Sequence, residues 1–231
     1  MPLEFDPLNH DYKIELDKAT HTYRVDGEVK PGYHEICDCV GTRRRCCECY
    51  GIGCDQCNNT GYTSYRAVSG SEFMRDQIAA RFGTHTHDFI AFDQRGIKCK
   101  YDPGIEPYIA GYRKFLKNYN LEMQLVEEMF YHKFYGYCIT IDWFGFLHIE
   151  KPKTKVPLLI DWKTSTTVQK SWARQTAAQE EAIKFNLKLT YRKIHRMAVL
   201  LKPNDYEPIE HKRSELNQFL SILNTYKTFG K

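Results

Sequence analysis

The chain has 231 residues, of which 42% are hydrophobic and 27% are charged, and this balance favours a folded soluble protein over a disordered one. No stretch is apolar for the length of a membrane span, and the N-terminus carries neither a basic leader nor an apolar signal core. We therefore expect a cytoplasmic protein with no membrane partner. The net charge of +4 permits a nucleic-acid partner but does not require one.

The first predicted elements are a hairpin and a cysteine-rich segment. The stretch "HTYRVDGEVK" carries strand-forming residues around Asp26-Gly27, a dipeptide that favours a tight hairpin turn. Seven of the nine cysteines then fall between Cys37 and Cys57. Such crowding in a chain without an export signal is typical of metal binding and not of a disulfide framework.

Two helices are predicted after the cysteine-rich segment. Residues 71–83 place apolar side chains on one stripe, and "GTHTHDFIAF" either continues or restarts this helix. A second helix has a single apolar face, made by Ile105, Tyr108, Ile109, Tyr112, Phe115, Leu116 and Tyr119.

The rest of the chain alternates between strand and helix patterns. Three strands are predicted in "LEMQLVEEMFY", "YGYCITIDWFGFLHI" and "VPLLIDWKT". A helix in "SWARQTAAQEEAIKFN", a strand in "RKIHRMAVLLKP" and a helix in "SELNQFLSILNTYKTF" follow. This order predicts an α/β fold with a central mixed β-sheet flanked by helices.

Two of these strands end in charged residues. Side chains alternate across a strand, so Asp161 and Lys163 project to one face, about 6 to 7 Å apart, while Ile160 and Trp162 project to the other. The preceding strand delivers Asp142 in the same way. If the two strands are neighbours, their carboxylates can converge on one Mg²⁺ or Mn²⁺ ion. Lys163 beside that ion would orient an attacking water or stabilise charge that develops on a phosphate. Taken alone, an Asp-x-Lys pattern is more often a solvated pair of charges.

The cysteine-rich segment contains two paired knuckles. Cys46-x-x-Cys49 is followed at a short distance by Gly51 and Cys54-x-x-Cys57 by Gly61, and two such pairs complete the tetrahedral set of a structural Zn²⁺ site. Cys37, Cys39 and Cys47, together with His34, leave a shifted ligand set or a second partial site open. Arg43, Arg44 and Arg45 stand against this segment and either bind nucleic-acid phosphates or form a solvated loop. Locally, the segment resembles one repeat of the zinc domain of the DnaJ chaperones.

Four stretches in order, "GTHTH", "VEEMFYHKFYGYCITID", "LLIDWKTS" and "QTAAQ", resemble the PD-(D/E)xK nuclease superfamily, and most closely its RecB-type and phage exonuclease-like branch. The resemblance covers residues 70 to 200 and extends to the early "YRVDGEVKPGYHEI". It implies a restriction-endonuclease-like core in residues 67–231, opened by an N-terminal hairpin region in residues 1–36. Residues 37–66 would then be a zinc-binding insertion, which we call the cysteine module.

The resemblance also implies roles for individual residues. It makes His87 a metal ligand with Asp142 and Asp161, Lys163 the catalytic lysine, and Gln175 the residue that positions a phosphate or water. The family's upstream acidic residue corresponds to Glu127 or Glu128, which face opposite sides of a strand, and we assign the role to Glu128 with Glu127 as the alternative. His85 is a rival for His87, and Gln179 for Gln175. The chain departs from the family pattern at Ile139, where glycine is common, and at Phe185, where tyrosine is expected.

These observations predict a metal-dependent DNA nuclease, with exonuclease action favoured, in phage or bacterial DNA replication, recombination or repair. Its partners would be single- or double-stranded DNA and a replication or recombination protein. It would act in the cytoplasm, which is that of the host if the protein is phage-encoded. The alternatives are a nucleic-acid-binding adaptor that does not cleave and a nuclease that acts on RNA. An iron–sulfur cluster ranks below zinc, because the related enzymes take cysteines after the nuclease core and this chain has none beyond Cys138.

Overall fold

A computed structural model describes residues 12–18, 20–41, 44–45, 62–63, 70–151, 153–189, 193–212 and 215–229. The strands of the chain are β1 Ile14–Asp17, β2 Thr22–Val25, β3 Glu28–Lys30, β4 Arg44–Arg45, β5 Tyr62–Thr63, β6 Leu121–His132, β7 Tyr137–Ile149, β8 Thr154–Lys163, β9 His195–Lys202 and β10 Asp205–His211. The helices are α1 Tyr33–Gly41, α2 Gly70–Gln94, α3 Glu106–Asn118, α4 Ser171–Asn186 and α5 Leu216–Phe229, and a 3-10 turn at Pro103–Ile105 precedes α3.

The N-terminal strands form a small antiparallel sheet in the order β1-β2-β3. Asp26 and Gly27 both have positive φ angles, 51° and 84°, as a tight primed turn between β2 and β3 requires. The hairpin predicted from this dipeptide is therefore confirmed. Strand β1, which was not predicted, pairs with β2 and adds Leu16 opposite Tyr23.

The central sheet has five strands in the order β10-β9-β8-β7-β6. Strands β8 and β9 run parallel, with α4 between them in sequence, while every other neighbouring pair is antiparallel. The predicted mixed sheet flanked by helices is confirmed. Strand β10 was missed because Pro208 and its acidic neighbours weaken the strand pattern, and its position at the edge of the sheet is where a proline is tolerated.

Helices cover both faces of this sheet. On one side, side chains from α1, α4 and α5 pack with sheet residues that include Phe144 and Leu159. On the other side, α2 and α3 pack on Trp143, Ile160 and Trp162. The prediction that Ile160 and Trp162 turn into the core is thus confirmed.

Two helices differ from the expectation. Helix α2 runs without interruption through "GTHTHDFIAF", so the helical pattern continues and does not restart. Helix α1 was not predicted, and it extends past the expected boundary of the cysteine module at residue 37. It belongs to the core, because Ile36 is fully buried and Cys37 packs against the same cluster. None of the described helices is both long and apolar enough to cross a membrane.

Candidate active site

The site begins where the ladder between β7 and β8 stops. The paired residues run from Ile149 opposite Thr154 to Trp143 opposite Ile160. Beyond that pair the backbone N–H of Trp162 donates to the carboxylate of Asp142, over 2.9 Å to Oδ2. A side chain has replaced the backbone ladder at this point. The Asp142 carboxylate is consequently held between the two strands, and the residue is buried.

Asp142 forms a three-residue cluster with His87 from α2 and Glu127 from β6, which we call the His-Glu-Asp cluster. The His87 Nδ1 atom lies 3.4 Å from Asp142 Oδ2 and 3.8 Å from Glu127 Oε1. One ligand atom of each residue lies within 4.8 Å of the other two. Ligand atoms that each lie about 2.0 to 2.6 Å from the same divalent ion are at most twice that distance apart. The spacing of the three atoms in this cluster therefore fits a single cation.

Glu127, and not Glu128, contributes to this cluster. Val126 pairs with Trp143 and Glu128 with Ile141, so Glu127 stands opposite Asp142 on the neighbouring strand. The backbone of Glu127 is left-handed, with φ of 47°, a conformation that costs a non-glycine residue about 1 to 2 kcal/mol. This backbone conformation could not be read from the sequence. Such strain is commonly found at functional sites.

Glu128, to which the sequence assigned the role, has different surroundings. Burial raises the pKa of its carboxyl above the ordinary value, against the charge of Arg95 and the backbone N–H of Met129. It is not a member of the His-Glu-Asp cluster formed by the described residues.

A second set of polar side chains surrounds Asp161, which is fully buried. We call Asp161, Lys163, Gln175 and Gln179 the aspartate–lysine network. Asp161 Oδ2 lies 2.5 Å from Lys163 Nζ, and Oδ1 accepts from the amides of Gln175 and Gln179 over 3.0 and 3.2 Å. Lys163 also donates to Gln175 Oε1 over 3.0 Å. The network therefore fixes the lysine ammonium between two oxygen acceptors.

Both glutamines, rather than one of the two, engage Asp161. Gln179 is fully buried and donates in addition to the carbonyl oxygen of Thr140 over 3.1 Å. Gln179 thereby connects β7 with β8 beyond Trp143 and Ile160, the last pair of their ladder. Gln175 reaches the lysine as well as the aspartate. The two residues are one turn apart on α4, which places their side chains on the same face.

The charges of the two sets affect one another. Burial and then the charge of Asp161 raise the pKa of Asp142 to about 7, while His87 and Lys163 act in the opposite direction. Burial lowers the pKa of His87, but the charges of Asp142 and Glu127 outweigh it, so the net shift is upward. Without a cation, Asp142 and His87 are therefore predisposed to hold a proton. A bound cation would take the place of that proton, as is usual when carboxylates and imidazoles become ligands.

Both sets open into one cleft of about 350 Å³. Its walls include His87, Glu127, Asp142, Lys163 and Gln175. The opposite wall comes from the N-terminal region and is formed by Leu16, Lys18, His21, Tyr23, Tyr33 and His34. The hydroxyl of Tyr23 lies 2.8 Å from Thr140 Oγ1, and Lys18 pairs with Asp88 of α2 over 3.1 Å.

This N-terminal wall was not predicted as part of the site. The only sequence signal was the similarity of "YRVDGEVKPGYHEI" to the opening hairpin of phage nucleases, and it gave no individual residues. His85, the rival of His87, is exposed and lies outside both sets.

The cysteine module lies largely outside the described residues. This holds for the predicted zinc ligands Cys46, Cys49, Cys54 and Cys57, and also for Arg43. Arg44 and Arg45 form β4, which pairs with Tyr62 and Thr63 of β5. The two ends of residues 46–61 therefore lie at neighbouring positions.

No protein-family model matches this chain, and no curated protein matches it with significant similarity. The resemblance to the PD-(D/E)xK nucleases therefore remains a prediction from the quoted motifs. The functional argument rests on the geometry of the cleft.

Proposed function

We propose that this protein is a metal-dependent nuclease that hydrolyses phosphodiester bonds of DNA, with exonuclease action favoured, on a restriction-endonuclease-like core. The observation that carries the proposal is the side-by-side arrangement of the His-Glu-Asp cluster and the aspartate–lysine network in a single cleft. A cation site next to an oriented ammonium is what the hydrolysis of a phosphodiester anion needs.

The donor set is suited to Mg²⁺ or Mn²⁺. Two carboxylates and one imidazole are ligands that manganese accepts readily, and magnesium prefers the oxygens. His87, Glu127 and Asp142 would hold the ion. Asp161, which the resemblance also makes a metal ligand, lies outside this cluster of described residues, and its oxygens are engaged by Lys163 and the two glutamines. A bound divalent ion supplies charge for the scissile phosphate and lowers the pKa of a coordinated water.

Lys163 has a distinct role in the proposal. Its ammonium lies in the cleft but is held by Asp161 and Gln175, and its side chain is only 16% exposed. An ammonium fixed in this way stabilises negative charge on a phosphate without having to reorganise during the reaction. Gln175 acts through Lys163 and Asp161, so it is a positioning residue.

The cysteine module complements this core. We propose that Cys46, Cys49, Cys54 and Cys57 bind a structural Zn²⁺ ion. Arg43, Arg44 and Arg45 would then contact DNA phosphates beside it without reading the sequence. A replication or recombination protein is the proposed partner, in the cytoplasm of the cell or of a phage host.

The experiment is a cleavage assay on end-labelled linear DNA and on circular DNA, each single- and double-stranded, with and without Mg²⁺ or Mn²⁺. We expect cutting only with the metal, and a loss of about 10²- to 10³-fold in Lys163→Ala, typical for removal of one charge-stabilising group. Lys153→Ala, an exposed lysine just before the same strand, is the matched control and should cut normally. Linear but not circular substrates would be degraded by an exonuclease.

Three results would contradict the proposal. Cleavage that survives in both Lys163→Ala and Asp161→Ala would exclude the aspartate–lysine network from the reaction. Binding of DNA without cutting in any metal would favour the adaptor alternative. Cutting of RNA alone would redirect the substrate class.

A further inference from the structure

The N-terminal wall of the cleft carries a residue with an unusual backbone. His21 immediately precedes β2, lines the cleft and has a φ angle of 52°. Glycine adopts this left-handed conformation most readily, as Gly27 does in the next turn with a φ of 84°. The turn therefore explains the backbone angle of His21, but it does not explain why the side chain is an imidazole.

A second strained residue lies across the same cleft. Glu127 of the His-Glu-Asp cluster has a φ of 47°, and it lines the cleft together with His21. The other described non-glycine residues with positive φ do not line the cleft; they are Asp26, Lys188 and Asn204. Backbone strain of this kind is found preferentially at functional sites. Its occurrence on both walls indicates that each side chain takes part in what the cleft binds.

The N-terminal sheet sets the direction in which His21 lies. Strand β3 is antiparallel to β2, and Gly32, two residues after β3, pairs in parallel with Cys138 of β7. Strand β2 therefore runs opposite to β7. A step backward along β2 consequently leads in the same direction as a step forward along β7.

Tyr23 gives a fixed point for this comparison. Its hydroxyl lies 2.8 Å from Thr140 Oγ1. Burial and then nearby charges, which include those of Glu127 and Asp142, raise the pKa of Tyr23 to about 12, so this residue lies beside the His-Glu-Asp cluster. His21 precedes Tyr23 by two residues, as Asp142 follows Thr140 by two. His21 therefore lies on the Asp142 side of the contact between the two strands.

The charges on the two walls differ. Among the residues that line the cleft, the carboxylates all belong to α2 and the central sheet: Asp88, Glu127 and Asp142. The described N-terminal residues of the lining include no acid, and the one lysine among them, Lys18, is paired with Asp88 over 3.1 Å. The ring of His34 meets that of His21 edge to face, with centroids 6.5 Å apart. An imidazole carries at least one N–H donor, so the N-terminal wall offers a donor to an anion in the cleft.

We propose that the imidazole of His21 donates a hydrogen bond to a non-bridging oxygen of the phosphate at the His-Glu-Asp cluster. The diester is thereby held between the two walls. A contact with phosphate carries no sequence information. It is made alike in the bound substrate and in the transition state, so it contributes to KM and not to kcat. This inference rests on the proposed nuclease function and adds a substrate-binding residue to the same site.

The first test separates the role of the turn from substrate binding. His21→Gly removes the imidazole and suits the positive φ, so Tm should change little. The KM for a single-stranded oligonucleotide in Mn²⁺ should rise at least about 10-fold with kcat unchanged, which is the effect of losing one hydrogen bond to a charged group. Lys188→Gly replaces an exposed residue with a φ of 50° outside the cleft, and as the matched control it should leave KM unchanged. An unchanged KM in His21→Gly would assign His21 to the turn alone and overturn the proposal.

A small substrate tests whether the contact is with the reacting phosphate. Bis(p-nitrophenyl) phosphate shares only the diester with DNA, so its KM should rise in His21→Gly by the same factor as that of the oligonucleotide. A rise confined to the oligonucleotide would place the contact elsewhere on the strand and would also overturn the proposal.

The last test needs no cleavage. A fluorescein-labelled oligonucleotide is titrated in Mn²⁺ into Lys163→Ala and into the double variants of Lys163→Ala with His21→Gly or Lys188→Gly. A Kd raised at least about 10-fold by His21→Gly alone would support the proposal. Equal Kd values for the three proteins, or no binding by any of them, would contradict it even if the wild type cuts DNA. If the wild type binds the oligonucleotide but cuts nothing, the nuclease function fails, and the titration still decides whether His21 contacts the bound strand.

Discussion

The two halves of the cleft satisfy their charges in different ways. In the aspartate–lysine network, Asp161 is fully buried and its oxygens are taken by an ammonium and two amides. In the His-Glu-Asp cluster, His87 lies 3.4 and 3.8 Å from two carboxylates, and the pKa of Asp142 is raised to about 7. The first half is stabilised by the protein itself, whereas the second is built for an additional positive charge. Substitutions in the two halves should therefore have different effects.

The largest effect on stability is expected from Asp161→Ala. It removes the one carboxylate that pairs with the largely buried Lys163 and accepts from both glutamine amides, and we expect the free energy of unfolding to fall by about 3–5 kcal/mol. Urea denaturation measures this loss. Asp205→Ala removes an exposed pair with Lys114 and should cost less than about 1 kcal/mol. If the two substitutions cost the same, the network is not the self-stabilised half.

The next effect concerns the cation. Mn²⁺ at about 100 times its Kd should stabilise the protein by about 2.7 kcal/mol, seen as a rise in Tm. Glu127→Gln should abolish this rise, because it removes a charged ligand from the His-Glu-Asp cluster. Glu128→Gln is the matched control on the same strand and should retain it. A rise lost in Glu128→Gln but kept in Glu127→Gln would restore the original assignment from sequence.

The two glutamines should separate stability from activity. Gln179→Leu removes the side-chain donor to the Thr140 carbonyl and one of the two amide donors to Asp161 Oδ1 in the core, which costs about 1–3 kcal/mol. Gln175 also contacts Lys163. Gln175→Leu should therefore lower kcat more than it changes KM, and it should cost less stability than Gln179→Leu does. Denaturation and steady-state kinetics on both variants test this division. Equal losses of kcat and stability in both would argue against it.

The smallest effect is expected at the N-terminal wall. Tyr23→Phe removes the hydroxyl that contacts Thr140 Oγ1 and should cost about 0.5–1.5 kcal/mol. A change of KM without a change of kcat would indicate that this wall contacts substrate only. Tyr131→Phe, on strand β6 of the central sheet, serves as a comparison.

Sequence patterns predicted most of the fold because they depend on local periodicity. Alternation identified β6 to β9, the Asp26-Gly27 turn marked the first hairpin, and the apolar stripe of α3 fixed its length. Helix α1 was missed because its cysteines were interpreted only as metal ligands. Strand β10 was missed because Pro208 and acidic residues obscured it, although an edge strand accepts both.

The site was predicted in part, for a related reason. Alternation along the strands identified Asp142, Asp161 and Lys163, because these residues lie in regular strand backbone. The choice of Glu127 depends on the register between β6 and β7, and the second glutamine contact depends on where α4 lies over the sheet. Both are tertiary features that no local pattern records.

The most direct test of the central claim is a titration of Mn²⁺ followed by electron paramagnetic resonance, on the wild type and on Glu127→Gln and Glu128→Gln. The account predicts that one Mn²⁺ ion binds per chain in the wild type and in Glu128→Gln, and that binding is lost or greatly weakened in Glu127→Gln. Absence of a bound ion in the wild type, or equal binding in all three proteins, would contradict the assignment of the His-Glu-Asp cluster as a metal site.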